Sequence, residues 1–181
     1  MTYSEIVSAV DEATKDPRVR RIHLEIDSPG GIVAGVDRAV AALQRARQAK
    51  LLTAHIQDVG TSAAYWLAAQ AEIVSAGTTA EVGSIGVYTS YVDSSARARN
   101  TGIEVIVIRS GIHEAMGFEG VPIMSEQIAA VQENVDTLGD LFIRDVARGR
   151  GKSEFEIHRL STGRTWTAGT AMELGLIDEL Q

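Results

Sequence analysis

Cysteine is absent from the 181-residue chain, which excludes disulfide frameworks, thiolate zinc sites and cysteine nucleophiles. That absence leaves the compartment open, since it suits a reducing cytosol without forbidding others. Lysine is scarce: Lys15, Lys50 and Lys152 are the only three, each at a helix end or in a polar stretch rather than at a core position. Basic runs are also missing. The densest, Arg144 to Lys152, reads as the end of a helix, where cations suit the dipole. With a net charge of −7, no nucleic-acid groove is indicated. No stretch approaches the roughly 18 consecutive apolar residues of a membrane span. The opening MTYSEIVSAVDEA has neither a basic start nor an apolar signal core. The chain is therefore expected to be soluble, with no membrane segment of its own, and cytoplasmic rather than membrane-anchored. It opens directly on a helix, which leaves room for a preceding segment.

The 45% apolar content and the length fit one domain that buries a real core without disulfides or metal. Thr2 and Glu5 form a T-x-x-E capping box, followed by Tyr3, Ile6, Val7 and Val10 at helical spacing, and Asp16-Pro17 ends that helix. Arg21 to Asp27 alternates, with Ile22, Leu24 and Ile26 on one face and His23 and Glu25 on the other, which is a strand pattern. A helix marked by Val36, Val40 and Leu43 runs to near Lys50. Leu51–Ile56 and Ile73–Ala76 read as strands, and Ala63–Ala71 as a helix of small residues. A turn at Glu81–Val87 leads into a fourth strand, and the β-branched run Glu104–Arg109 reads as another, after a short helix near Ser94–Asn100. Ser125 is expected to cap a long helix carrying Ile128 to Val146, and Ser153 with Glu156 forms a second capping box. A last helix ends at Gly175. Strands alternating with helices argue for an α/β domain with a largely parallel sheet.

Three turns sit at the C-terminal ends of strands, where open α/β sheets place their ligands. The first is Ser28-Pro29-Gly30-Gly31. Adjacent glycines allow unusual backbone angles and close approach of a substrate, and N–H groups there suit a developing oxyanion, although an ordinary tight turn has the same composition. The second is Gly60-Thr61-Ser62-Ala63-Ala64, a serine between a strand and a helix of small residues. That placement suits a nucleophile on an elbow, yet the string is not G-x-S-x-G and an N-cap serine would look alike. The third, Gly83-Ser84-Ile85-Gly86, is weak in isolation. Of the four histidines, His23 and His55 fall in strands and read as structural. His158 lies on a charged, solvated helix, and only His113 lies in a glycine-rich loop after a strand.

The order strand–SPGG, then a serine elbow followed by Tyr65-Trp66, then GSIGV, resembles the signal peptide peptidase A (protease IV) family and the related phage and prophage head-maturation proteases. The likeness continues through Asp16-Pro17-Arg18-Val19, Ile108-Arg109-Ser110-Gly111, Val146–Gly151, Gly163–Trp166 and Ala171–Asp178. The resemblance implies the Clp/crotonase fold with repeated β-β-α units, oligomerisation through C-terminal helices from about residue 125, and peptide-bond cleavage by a Ser/Lys dyad with no metal or cofactor. It puts Ser62 at the nucleophile, Gly30, Gly31 and the Ala63 N–H at the oxyanion site, and Ser84 at the serine that helps hold the lysine. The substrate would be an extended peptide or protein bound as an added strand along the turn at Gly30.

The family's lysine is missing. A pattern like S-G-x-x-K is expected after 104–109, and here Ser110-Gly111-Ile112-His113-Glu114 puts Glu114 in its place. A glutamate, with a reference pKa of about 4.3, serves as base only when its environment raises that value. Three readings stay open: an active peptidase using Glu114 or His113, a pseudo-peptidase kept for assembly or peptide binding, or a lysine supplied from a partner chain or another segment. A crotonase-type acyl-CoA enzyme is disfavoured, because that chemistry needs no serine nucleophile. The lack of an anchor is expected to fit a soluble or phage-like member, and the resemblance implies self-association.

Overall fold

The computed structural model describes residues 1–181, which divide into two compact units: Met1–Val87 with Gly139–Gln181, and Tyr88–Leu138.

The first unit holds every strand. Its elements are α1 (Tyr3–Lys15), β1 (Arg21–Ser28), α2 (Val36–Ala49), β2 (Leu51–Thr61), α3 (Ala63–Ala68), β3 (Ile73–Ala76) and β4 (Glu81–Gly83). After the second unit, which contains α4 (Ser95–Asn100) and the start of α5 (Ser125–Arg150), come α6 (Glu154–Leu160), β5 (Thr165–Thr167), α7 (Ala168–Glu173) and β6 (Glu179–Leu180). The fold is mixed α/β with one mostly parallel sheet. β2 is its hub: β1 pairs along one edge, while β3 and then β4 pair along the other, and β6 extends from β3. Only β4–β5 is antiparallel.

The register of β1 on β2 slips after Ile26↔Ile56, resuming at Ser28↔Gly60. At the slip the Val59 N–H donates to Asp27 Oδ1 at 3.2 Å, replacing a lost ladder bond. β2 therefore runs on through Thr61, past the point where the sequence suggested a turn, and exchanges its partner on one edge from β3 to β4. Even-numbered residues of the central strands (Ile22, Leu52, Ala54, Ile56, Val74) are buried with α2 residues Ala39, Val40, Leu43 and Ala46. The odd-numbered face carries His23, bonded to Thr53 Oγ1 at 2.7 Å, and His55, bonded to Ser75 Oγ at 2.9 Å, which fits a structural role for both.

Both capping boxes are present, Thr2 with Glu5 and Ser153 with Glu156. Their hydrogen bonds hold the Glu5 and Glu156 carboxyls below their usual range. Gly175 takes φ 69° just past Leu174, the C-cap of α7, the left-handed position that ends a helix.

Four expectations need correction. Glu104–Arg109 is not a strand: no ladder partner reaches it, and β-branched composition cannot make a strand without one. The Glu81–Val87 turn does not lead into a strand; the strand at the third turn is Glu81–Gly83 itself. α3 stops at Ala68, short of Ala71. Ser125 is the first helical residue of α5 rather than its cap, and the Gln127 side chain satisfies the preceding Met124 N–H at 3.0 Å. The short strands β5 and β6 carried too little pattern to be read in advance.

Candidate active site

β2 delivers the chain directly into Ser62, and α3 leaves from it. Ser62 adopts φ 53° and ψ −128°, a region that costs an L residue of order 1–3 kcal/mol. Its hydroxyl does not cap α3, so the N-cap alternative fails on side-chain geometry although the residue occupies the cap position. The strain is held from both sides. The Ser62 N–H donates to Gly83 O at 2.8 Å, and Ser62 O accepts from Trp66 N at 2.9 Å.

The floor beneath the elbow is α3 itself. Tyr65 is fully buried and donates its hydroxyl to Leu176 O at 2.8 Å; burial pushes its phenol above the usual range. Trp66 stacks on Phe142 with ring centroids 4.3 Å apart and donates Nε1–H to Asp145 Oδ2 at 3.0 Å. The aromatic pair thus packs the helix, as aromatics beside a turn usually do. At the helix's far end Arg47 caps the Gln70, Ala71 and Gly149 carbonyls. A cleft of about 380 Å³ there, lined by Gln44, Gln48, Arg148 and neighbours, lies at the opposite end of α3 from Ser62.

The SPGG turn is pressed onto the elbow. A Cβ on Gly30 would stand 2.8 Å from Ser62 Cβ and 3.0 Å from both Ala63 N and Thr61 O, and Gly30 takes φ 111°. Only glycine fits on both counts. The Gly30 N–H is already used, donating to Ser28 Oγ at 3.2 Å, and Thr61 Oγ1 donates to Pro29 O at 3.1 Å. Of the two glycines, Gly31 is therefore the one whose N–H remains for a ligand, alongside Ala63 N–H at the start of α3. Ser84 follows Gly83, the residue that receives the Ser62 N–H. It has φ 51°, and its own N–H donates to Arg164 O at 2.8 Å.

The structure thus brings together Gly30, Gly31, Ser62, Ala63 and Ser84 within the first unit. His113 and Glu114 belong to the second. Both are exposed, and Glu114 is held in its own loop: Oε1 accepts from Ser110 Oγ at 3.0 Å and Oε2 from Ser110 N at 3.3 Å. The sequence did not single out Ser28, Thr61 or the Arg164 carbonyl. Ser28 acts locally, accepting from Gly30 two residues on, whereas Thr61 meets Pro29 from 32 residues away and the Arg164 carbonyl reaches Ser84 where β5 pairs with β4. No three His, Asp or Glu side chains converge as metal ligands, and no helix is long and apolar enough to cross a membrane.

Residues 44–181 match the family model described as Peptidase family S49. The chain is 32% identical to the head-tail preconnector protein GP5 of Enterobacteria phage P21, across 98% of this chain and 35% of that protein. It is 29% identical to capsid assembly protease C of Escherichia phage lambda (98% and 40%) and 26% identical to a putative signal peptide peptidase SppA of Enterococcus faecium (98% and 52%). It spans between about a third and a half of the length of these relatives. With the strained serine, its glycine turn and a match over most of its length, the chain belongs to peptidase family S49.

Proposed function

We propose that the protein is a serine endopeptidase of the Clp/crotonase fold, one domain that self-associates and cleaves extended peptides through an acyl-enzyme on Ser62. The observation that carries this reading is the Ser62 backbone, held at φ 53° and ψ −128° between β2 and α3 with Gly30 packed against it. Backbone strain of this size persists where function needs it. The hydroxyl oxygen attacks the scissile carbonyl while a base takes its proton. The Gly31 and Ala63 N–H groups receive the oxyanion, and the returned proton leaves with the amine. Glu114 stands in the sequence where the family's lysine is expected, with His113 beside it as the other candidate base; the resemblance gives Ser84 the part of the serine that helps hold the base. The phage relatives' names favour a phage-encoded member acting on a capsid-assembly protein, in keeping with the lack of a membrane-crossing helix.

A second reading has its own support. Glu114 is exposed and both its oxygens are engaged by Ser110, a setting unlike that of a buried general base. On this reading the protein is a pseudo-peptidase that retains the fold for assembly or peptide binding.

A fluorophosphonate probe tests the first. Labelling at Ser62 that disappears in Ser62→Ala supports the activated serine, and a chain that never labels sinks it. Loss of peptidase activity in Glu114→Gln identifies the glutamate as base. Activity that appears only in Glu114→Lys identifies a degenerate enzyme.

A further inference from the structure

Within the Gly30–Gly35 stretch, anchoring is uneven. Gly30 is tied through Ser28 Oγ and Pro29 through Thr61, while Val33 O accepts from Val36 N at 3.1 Å as the chain enters α2. Between these points Gly31 and Ile32 depend on a residue 29 positions away: Tyr3 donates its hydroxyl to Ile32 O at 2.8 Å. The Tyr3 ring lies directly under the turn. A Cβ on Gly31 would sit 3.4 Å from the Tyr3 hydroxyl, and one on Gly35 would sit 3.6 Å from Tyr3 Cδ2. Both distances are those of ordinary van der Waals contact, so the ring packs against the turn at both glycines. Tyr3 is itself fixed as the first residue of α1 by the Thr2–Glu5 capping box beside it. Burial lifts its phenol above the ordinary range.

We propose that Tyr3 is a positioning residue for the oxyanion turn: its hydroxyl fixes the Gly31–Ile32 backbone and, through it, the Gly31 amide that the transition state uses. The inference rests on the peptidase reading of Ser62. It gives α1 a role beyond packing on α2, since the helix delivers a hydrogen bond to the one part of the turn that the elbow does not hold. An oxyanion donor left free to wander loses part of its value, because its worth lies in being aligned before charge develops.

Tyr3→Phe removes the hydroxyl and keeps the ring. The expected result is a three- to tenfold slower fluorophosphonate labelling of Ser62, about what one hydrogen bond is worth. On a peptide ester kcat should fall by a similar factor while KM stays within about twofold, since the loss is confined to the transition state. Backbone order parameters at Gly31 and Ile32, read by amide relaxation, should fall while those of 51–61 are unchanged, with the thermal midpoint close to wild type. Wild-type labelling by Tyr3→Phe, or unaltered order parameters at Gly31 and Ile32, overturns the proposal. If the wild type itself never labels, the peptidase reading falls, and the order parameters still decide whether Tyr3 holds the turn.

Discussion

The two units of the chain bury their apolar residues to different degrees, and α5 passes from one regime to the other. In its first half Ile128 is 55% exposed and Val131, Val135 and Leu138 are only half-buried, with Gln127 the one buried side chain. In its second half Phe142, Ile143, Val146 and Ala147 are buried, and Gly149 lets the helix approach the Ala69 carbonyl so closely that no side chain fits. The same contrast separates the units. The first encloses the Ser62 elbow in a continuous core. The second leaves Ile106 80% and Ile108 97% exposed on an extended segment with no ladder partner. What the difference teaches is that strain is stored where packing can hold it. Ser62 keeps its unfavourable backbone because α3 is clamped by Tyr65, Trp66 and the C-terminal half of α5.

The comparison can be broken most forcefully at that clamp. Trp66→Ala removes a stacked ring and leaves Asp145 without its indole donor, and should cost about 3–5 kcal/mol in urea unfolding. Gly149→Ala forces α5 away from α3, and the expected loss is about 1–3 kcal/mol by the same measurement, with slower Ser62 labelling as the elbow shifts. Tyr65→Phe is finer. It leaves the buried Leu176 carbonyl without its donor, for about 1–2 kcal/mol with the core volume unchanged. The opposite prediction applies to the second unit: Ile106→Lys and Ile108→Lys should each change stability by less than about 0.5 kcal/mol, because there is no packing to lose. A large effect of either would show that the exposed segment is covered in solution.

The smallest effect concerns pH. Asp93 accepts from Ile123 N at 3.0 Å and from Ser95 N at 2.9 Å, and these bonds, the Ile123 bond foremost, lower its carboxyl to about 2. A depressed carboxylate adds stability that is complete above the unfolded value of about 3.9 and is lost as pH falls through about 2. Exchange at the Ile123 and Ser95 amides should therefore accelerate only below about pH 4, and Asp93→Asn should abolish that dependence.

Much of the candidate site could be read from residues in order. SPGG, the serine elbow and GSIGV are local strings, and their turns follow from glycine and from strand ends. The aromatic pair after Ser62 belongs to the same local string, and Tyr65 and Trp66 pack the elbow helix. What could not be read were contacts across distance. Tyr3 looked like one more apolar position on α1, and its bond to Ile32 needs α1 and the SPGG turn to meet. The 104–109 run failed as a strand for the converse reason: Val105, Ile106, Val107 and Ile108 have strand-forming side chains, but a ladder requires a neighbour.

By itself the sequence determined the two capping boxes, the alternation that aims Ile22 and Ile26 inward, the glycines that permit a tight turn at residue 30, and membership of a peptidase family. These depend on chemistry within a few residues or on a pattern that a whole family shares. Only the tertiary structure decided that β2 runs on to Thr61 and exchanges its partner from β3 to β4. It alone held Ser62 in a strained backbone rather than as a helix cap, with its N–H on Gly83 O. Both outcomes turn on which backbone groups find partners far along the chain, and hydrogen bonds across such distances are settled by packing, not by neighbours in sequence.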